Sequence, residues 1–128
     1  MRKLMLGLAV AAVAVAGSAY AQDKKFTIGV SIPAADHGWT SGVVFHAERV
    51  AKKLMEEHPG LNVIVKTSPD AATQANAVQD LDTQGIDALV ILPSDPDPLV
   101  NAIKEVKGKG KYVKYDKAEL NKALSSFS

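Results

Sequence analysis

Polar and aromatic side chains follow the strand-like runs of this 128-residue chain. The first run, Phe26–Ile32, leads into a loop that carries Asp36, His37 and the single tryptophan, Trp39. Carboxylates accept hydrogen bonds from paired hydroxyl groups and an aromatic ring covers apolar C–H groups, so this combination suits a sugar. Loops after parallel strands share one edge of an open α/β sheet, where ligands bind. The residues that we place on that edge are Asp36, His37, Trp39, Asp70, Ser94, Asp95 and Asp97.

Several of these residues also have an ordinary structural explanation. Asp70, Asp95 and Asp97 each precede a helix-like segment, and a carboxylate at that position caps the first backbone N–H groups of a helix. Trp39 either stacks on a ligand or packs at the start of a helix. The sequence leaves both alternatives open for each residue.

No motif in the chain predicts catalysis, a cofactor or a metal. Asp36, His37 and Ser41 are the residue types of a nucleophilic triad, but they crowd into one loop without a Gly-x-Ser-x-Gly elbow. Pro33 and two alanines follow the first strand, where a dinucleotide fingerprint would have spaced glycines. The acidic residues lack the spacing of a calcium loop, and the three histidines lack that of a metal site. We therefore expect that the protein is not an enzyme and that it binds no cofactor and no metal.

Strand-like and helix-like segments alternate from Phe26 onward. β-Branched or continuously apolar runs predict strands, and apolar residues at helical spacing predict amphipathic helices. Turn residues, among them Pro59-Gly60 and Gly85, end the helices. The predicted strands are 26–32, 62–67, 88–92 and 111–115, and the predicted helices span about 41–58, 70–85 and about 98–107.

The order βαβαβαβ predicts an α/β fold with one parallel sheet, helices on both faces and right-handed crossovers. The run Ala88–Leu92 is apolar throughout, which is typical of a parallel strand that is covered on both faces. The length of the chain corresponds to one domain.

The first 21 residues have the pattern of a secretory signal peptide. Arg2 and Lys3 precede an apolar run from Leu4 to Ala16, and Ala19-Tyr20-Ala21 offers small residues at the cleavage positions. That run is shorter than the roughly 20 residues needed to span a bilayer. The chain contains no cysteine for a disulfide or a lipid anchor. We expect cleavage after Ala21, a periplasmic location and no direct membrane insertion afterwards.

The charge balance does not indicate a nucleic-acid partner. The chain has 15 basic and 14 acidic residues, a formal net charge of +1. Basic residues concentrate between Lys104 and Lys122, which favours a solvated lysine-rich segment over a basic binding patch. We expect no binding to nucleic acid.

Three segments follow one another in a characteristic order and spacing: Ile28–Gly42, Asp70–Gln74 and Leu81–Asp95. Together they resemble the amino-terminal lobe of a periplasmic sugar-binding protein of the ribose/galactose type, the solute receptor of an ABC importer. The resemblance implies one Rossmann-like lobe of a type I periplasmic-binding-protein fold, with a second lobe and a hinge. It further implies a monosaccharide in the cleft, closure on binding and delivery to an ABC permease. It places Asp36, His37 and Trp39 at the first contact loop and Asp95 near the third.

The resemblance extends to about Lys107, and the chain then departs from the family pattern. Tyr112–Lys117 resembles a degenerate form of the family's fourth strand, with Asp116 at the position of its cleft Asp. We divide the chain into a signal peptide (1–21), the lobe (22–117) and an atypical tail (118–128). We expect an incomplete or non-functional single-lobe sugar receptor. The alternative is a stand-alone periplasmic sensory or interaction module.

Overall fold

The computed structural model of the chain describes residues 24–115. The predicted signal peptide, Asp116 and the predicted tail lie outside the described residues. Strands and helices alternate within that range, as the sequence predicts. The elements are β1 (Phe26–Pro33), α1 (Gly38–Glu57), β2 (Leu61–Ser68), α2 (Ala71–Thr83), β3 (Ala88–Ile91), α3 (Pro96–Gly108) and β4 (Tyr112–Tyr115).

The four described strands form one parallel sheet in the order β2-β1-β3-β4. This arrangement confirms the predicted α/β fold class. The chain runs from β1 to β2 on one side, returns to β3 on the other side and continues outward to β4. The direction of strand progression therefore reverses between β1 and β3.

Two helices begin earlier than the sequence predicts. Helix α1 begins at Gly38, because His37 is extended at φ −151° and its backbone N–H donates to Thr40 Oγ1 at 3.3 Å. Helix α3 begins at Pro96, because Asp95 occupies the cap position. Proline is well tolerated in the first turn, where its missing N–H would have no helical partner. Trp39 consequently lies in the first turn of α1 rather than in a loop.

The ends of α2 follow local rules. The carboxylate of Asp70 accepts a hydrogen bond from the backbone N–H of Thr73 at 2.7 Å and so caps the helix. Gly85, just beyond the last turn, has φ +80°, a conformation that glycine adopts without the steric cost of a Cβ. The turn agrees with the end that the sequence predicts for this helix.

The main core lies between the sheet and the helix pair α2–α3. Its sheet residues lie on one face of β2, β3 and β4, and its helix residues form the inner stripes of α2 and α3. Replacing one of its large aliphatic side chains by alanine typically costs about 2–5 kcal/mol. The buried cluster consists of Val78, Leu81, Ile86, Leu89, Ile91, Leu99, Val100, Ala102, Ile103 and Val106.

Helix α1 covers the other face of the sheet only in part. It contacts β2 and β1, and the buried residues Ala51 of α1 and Ile32 of β1 lie outside the main cluster. On the β3–β4 side, Val90 is 39% exposed and Tyr112 is 65% exposed. Within residues 24–115, the part of this face around Val90 and Tyr112 is therefore exposed.

Candidate ligand-binding cleft

An open cleft lies at the carboxyl ends of the strands, where the strand order reverses. Its volume is about 470 Å³, the size of a small-molecule site. The loops after β1 and β3 diverge at this point and form most of its wall, with a contribution from the loop after β2. The polar and aromatic wall residues are Asp36, His37, Trp39, Thr40 and Ser94, and the wall also includes Pro33, Pro69 and Pro93.

Thr40 organises the first loop of the cleft. Thr40 is buried, and its hydroxyl oxygen lies 2.9 Å from Asp36 Oδ1, 3.1 Å from His37 Nδ1 and 3.0 Å from the His37 carbonyl oxygen. A hydroxyl has one proton, so it donates either to the Asp36 carboxylate or to the His37 carbonyl at any one time, and the direction of the bond to His37 Nδ1 depends on the histidine tautomer. Asp36 Oδ1 also lies 3.5 Å from His37 Nε2. The two ionisable side chains remain mostly exposed, at 69% for Asp36 and 65% for His37, and therefore accessible to a ligand.

Trp39 presents its ring at the rim of the cleft. The residue is 66% exposed although it belongs to the first turn of α1. Because little of the residue is buried against described residues, its ring is accessible to a ligand, and stacking on a ligand stays a prediction. An exposed aromatic ring suits the C–H face of a sugar, and the neighbouring carboxylate can accept hydrogen bonds from the hydroxyl groups of the sugar.

Ser94 is held by a buried amide from α2. Gln74 is fully buried, and its Nε2 donates to the carbonyl oxygen of Leu92 at 2.8 Å. Its Oε1 accepts from the backbone N–H and the hydroxyl of Ser94, each at 2.9 Å. These three bonds tie the loop after β3 to α2 and position Ser94 in the wall of the cleft.

Asp70 and Asp95 lie at helix starts rather than in the wall of the cleft. The backbone N–H of Thr73 holds the pKa of Asp70 below its usual value. The carboxylate of Asp95 accepts from the backbone N–H of Asp97 at 3.3 Å. The capping alternative thus accounts for the bonds of both residues, and ligand contact by either one stays a prediction.

The structure brings together four of the residues predicted for the site, namely Asp36, His37, Trp39 and Ser94. Sequence reasoning missed Thr40 and Gln74, which position the others. A signal for Gln74 was present, because Gln74, Val78 and Leu81 share the inner stripe of an amphipathic helix. A glutamine in such a stripe indicates a buried polar contact, although the sequence does not identify its partner.

Two further observations concern the described residues alone. No three acidic or histidine side chains between residues 24 and 115 come together as metal ligands. Of the three helices described, none combines the length and apolar character that crossing a membrane requires.

Comparison with known sequences assigns the family. Residues 28–126 match the periplasmic binding protein domain. The chain belongs to this family. The match includes most of the tail that the sequence analysis set apart, and the boundary at residue 117 stays a prediction. The family resemblance inferred from the three sequence segments is confirmed.

The relatives are binding proteins of import or ABC-transporter systems. The ribose import binding protein of Bacillus subtilis (strain 168) is 33% identical over 88 residues, which cover 68% of this chain and 27% of the relative. A solute binding protein of an ABC transporter from Mycobacterium smegmatis, solved with bound glycerol, is 26% identical with a TM-score of 0.61 and is matched over 71% of this chain and 30% of its own. A counterpart from Clostridium phytofermentans, solved with bound β-D-glucose, is 25% identical with a TM-score of 0.58, over 68% of this chain and 26% of its own.

The chain therefore matches between a quarter and a third of the length of these relatives. Its family is that of periplasmic binding proteins, and the relatives named above are binding proteins of import or ABC-transporter systems. The described residues correspond to one lobe of that fold.

Proposed function

We propose that this family member captures a monosaccharide in the periplasm for an ABC importer, with the described residues forming one wall of the binding cleft. The observation that carries the proposal is the convergence of Asp36, His37, Trp39 and Ser94 on a single open cleft. The carboxylate and hydroxyl oxygens accept hydrogen bonds from sugar hydroxyls, and the indole covers C–H groups. Asp70 and Asp95 are candidate contacts outside this wall, and Asp116, which lies outside the described residues, is a candidate from the family resemblance.

The described lobe supplies only one side of such a site. Small-molecule sites bury most of the ligand surface, and two-lobed receptors achieve this by closing around the ligand. Asp36, His37 and Trp39 are each about two-thirds exposed, so a sugar on this wall alone keeps its other face in water. We therefore expect the 128-residue chain to bind monosaccharides only at millimolar concentration.

An NMR titration of the isotope-labelled chain tests this proposal. D-ribose, D-glucose and L-rhamnose are the probes, and L-glutamate is a control solute without a polyol face. We expect sugar-induced shifts at the Trp39 indole and at the backbone amides of the loops after β1 and β3. Shifts that are absent, or that occur only outside these loops, would contradict the proposed site. Saturable micromolar binding would instead favour a stand-alone sensory or interaction module.

The proposed location depends on the amino-terminal pattern rather than on the described residues. Positive charge at Arg2 and Lys3, the apolar run and Ala19-Tyr20-Ala21 predict export and cleavage after Ala21. The intact mass of the periplasmic product should correspond to a chain that begins at Gln22. Recovery of the uncleaved chain alone would show that the signal-peptide assignment is wrong. Delivery to a permease is proposed from the family alone.

A further inference from the structure

Gln74 is fully buried, and polar side chains are rarely buried without hydrogen-bond partners. It is 0% exposed and shares the inner stripe of α2 with the buried residues Val78 and Leu81. Burying an amide without hydrogen bonds destabilises the folded chain, because the amide loses its bonds to water and gains none. Gln74 is therefore tolerated at this buried position because its amide is hydrogen-bonded.

The backbone partners determine which end of the amide is nitrogen. A carbonyl oxygen only accepts, so the group 2.8 Å from the carbonyl of Leu92 must be the Nε2 donor. A backbone N–H only donates, so the group 2.9 Å from Ser94 N must be the Oε1 acceptor. The two bonds agree, and an amide flipped by 180° would break both of them.

The orientation of Gln74 in turn determines the proton of Ser94. Ser94 Oγ lies 2.9 Å from Gln74 Oε1, which carries no proton, so the hydroxyl must be the donor in this bond. With its proton committed to Gln74, Ser94 offers only lone pairs to the cleft that it lines. A ligand group at this point must then be a donor.

We infer that Gln74 is a positioning residue that holds the loop after β3 and makes the Ser94 hydroxyl an acceptor for a ligand O–H. The positioning part of this inference, that Gln74 holds the loop after β3, concerns the free protein. The acceptor part, that Ser94 accepts a bond from a ligand O–H, rests on the proposed function. The ligand class is a sugar with a hydroxyl donor at this point. An ether, fluoro or carbonyl group there leaves Ser94 without a donor.

Amide hydrogen exchange of the ligand-free chain tests the positioning part. In the Gln74→Met variant, protection of the Ser94 amide should fall about tenfold or more, because its acceptor is gone. The Leu92 amide donates to the Ser31 carbonyl at 3.0 Å and should stay protected, as a measure of an intact sheet. The matched control is Gln79→Met, which changes an exposed glutamine on the same helix. Equal protection of Ser94 in all three proteins would overturn the inference.

The wild-type chain gives an answer even if Gln74→Met does not fold. The side-chain amide protons of Gln74 should exchange slowly, and a scalar coupling should connect its Nε2 to the carbonyl carbon of Leu92. Fast exchange together with no coupling would overturn the inference without any variant.

The acceptor part is tested with fluorinated sugars. For whichever probe sugar shifts the Ser94 amide, we compare its monodeoxyfluoro analogues, because fluorine cannot donate a hydrogen bond. One analogue should bind the wild type about tenfold more weakly than the parent sugar. In Ser94→Ala that difference should disappear, while the backbone amide at position 94 stays protected.

Two results would overturn the acceptor role of Ser94. In the first, every fluorinated analogue binds the wild type as well as the parent sugar does. In the second, the fluorinated analogue loses as much affinity in Ser94→Ala as in the wild type. If no sugar changes any NMR shift of the chain, the proposed function and the acceptor role of Ser94 are both refuted. The positioning role of Gln74, which hydrogen exchange measures in the free protein, is not affected by that result.

Discussion

Two small side chains, Thr40 and Ser94, control how the cleft presents its hydrogen-bonding groups. The Thr40 hydroxyl lies within 3.1 Å of three polar atoms of Asp36 and His37, so it links the residues of the first loop to one another. Ser94 serves the second loop in the same way through Gln74. The exposed side chains of the cleft are therefore held by the buried residues Thr40 and Gln74, which lowers the conformational entropy that is lost when a ligand binds.

At Trp39, removal of the ring should affect binding and leave stability unchanged. Trp39→Ala should weaken sugar binding by about 1–3 kcal/mol, because a stacking face is lost. The free energy of unfolding should change by no more than about 0.5 kcal/mol, since the side chain is largely exposed. The measurements are the NMR titration and urea unfolding. Phe45→Ala is the matched control, because Phe45 is 60% exposed on α1 and does not line the cleft. Equal sugar shifts in the wild type and Trp39→Ala would assign Trp39 a packing role.

At the level of the elements, an ion-pair cluster joins α2 to α3 and β4, at the end of the sheet opposite the cleft. Asp82 on α2 is bonded to Lys109, and its Oδ1 lies 2.5 Å from Lys111 Nζ. The hydrogen bonds from Lys109 and then Lys111 hold the pKa of Asp82 below its ordinary value of 3.8. The ionised carboxylate therefore stabilises the folded chain at neutral pH.

Asp82→Asn should lower the Tm at pH 7 by roughly a few degrees. A depressed folded-state pKa stabilises the fold above the ordinary pKa, and this contribution is lost as the pH falls through the folded-state value. The difference in Tm between variant and wild type should accordingly shrink below about pH 4. Thermal unfolding across pH measures this change, with the exposed Glu48→Gln as the control. A Tm difference that does not depend on pH would show that the charge of Asp82 is not the cause.

Close packing of β1 against α2 leads to a prediction about two glycines. A Cβ at Gly29 would lie 3.1 Å from side-chain atoms of Ile86 and Leu81, whereas a Cβ at Gly42 in α1 would meet nothing within 4 Å. Gly29→Ala should destabilise the chain by about 1–2 kcal/mol through overpacking. Gly42→Ala should stabilise it by about 0.5–1 kcal/mol, because alanine favours the helix. Urea unfolding of both variants measures the effects, and destabilisation in both would refute the packing explanation.

For the whole molecule, the main feature is the unequal cover on the two faces of the sheet. The α2–α3 face contains the buried cluster, whereas Val90 and Tyr112 are exposed on the α1 side among the described residues. Uncovered apolar surface next to an edge strand favours self-association. We therefore expect the purified 128-residue chain to associate as its concentration rises.

Val90→Glu should reduce this association, because a charge on the exposed face opposes apolar contact between copies. Sedimentation velocity at several concentrations measures the effect. Asn101→Glu, which adds the same charge at an exposed position of α3, should associate like the wild type. Equal loss of association in both variants would attribute the effect to net charge, and no loss in either would exclude this face as the contact.

The sequence by itself determined the kind and order of the elements. β-Branched runs and helical spacing are local patterns, so they predicted four strands, three intervening helices and the parallel α/β class. Local chemistry also identified the cap at Asp70 and the left-handed turn at Gly85. The early starts of α1 and α3 were missed, because they depend on the backbone at His37 and on the cap at Asp95.

Only the tertiary structure decided which residues meet. The strand order β2-β1-β3-β4 places the loops after β1 and β3 on opposite sides of one cleft, and non-local crossovers set that order. Gln74 has the helical spacing of Val78 and Leu81, a signal that the sequence interpretation did not use, and its contact with a loop 20 residues away depends on how α2 packs across the sheet. Likewise, the spacing in α1 marked an apolar stripe without showing that, among the described residues, the helix packs mainly against β1 and β2. A periodic pattern shows which face of an element is buried, whereas the packing of distant segments determines what lies against that face.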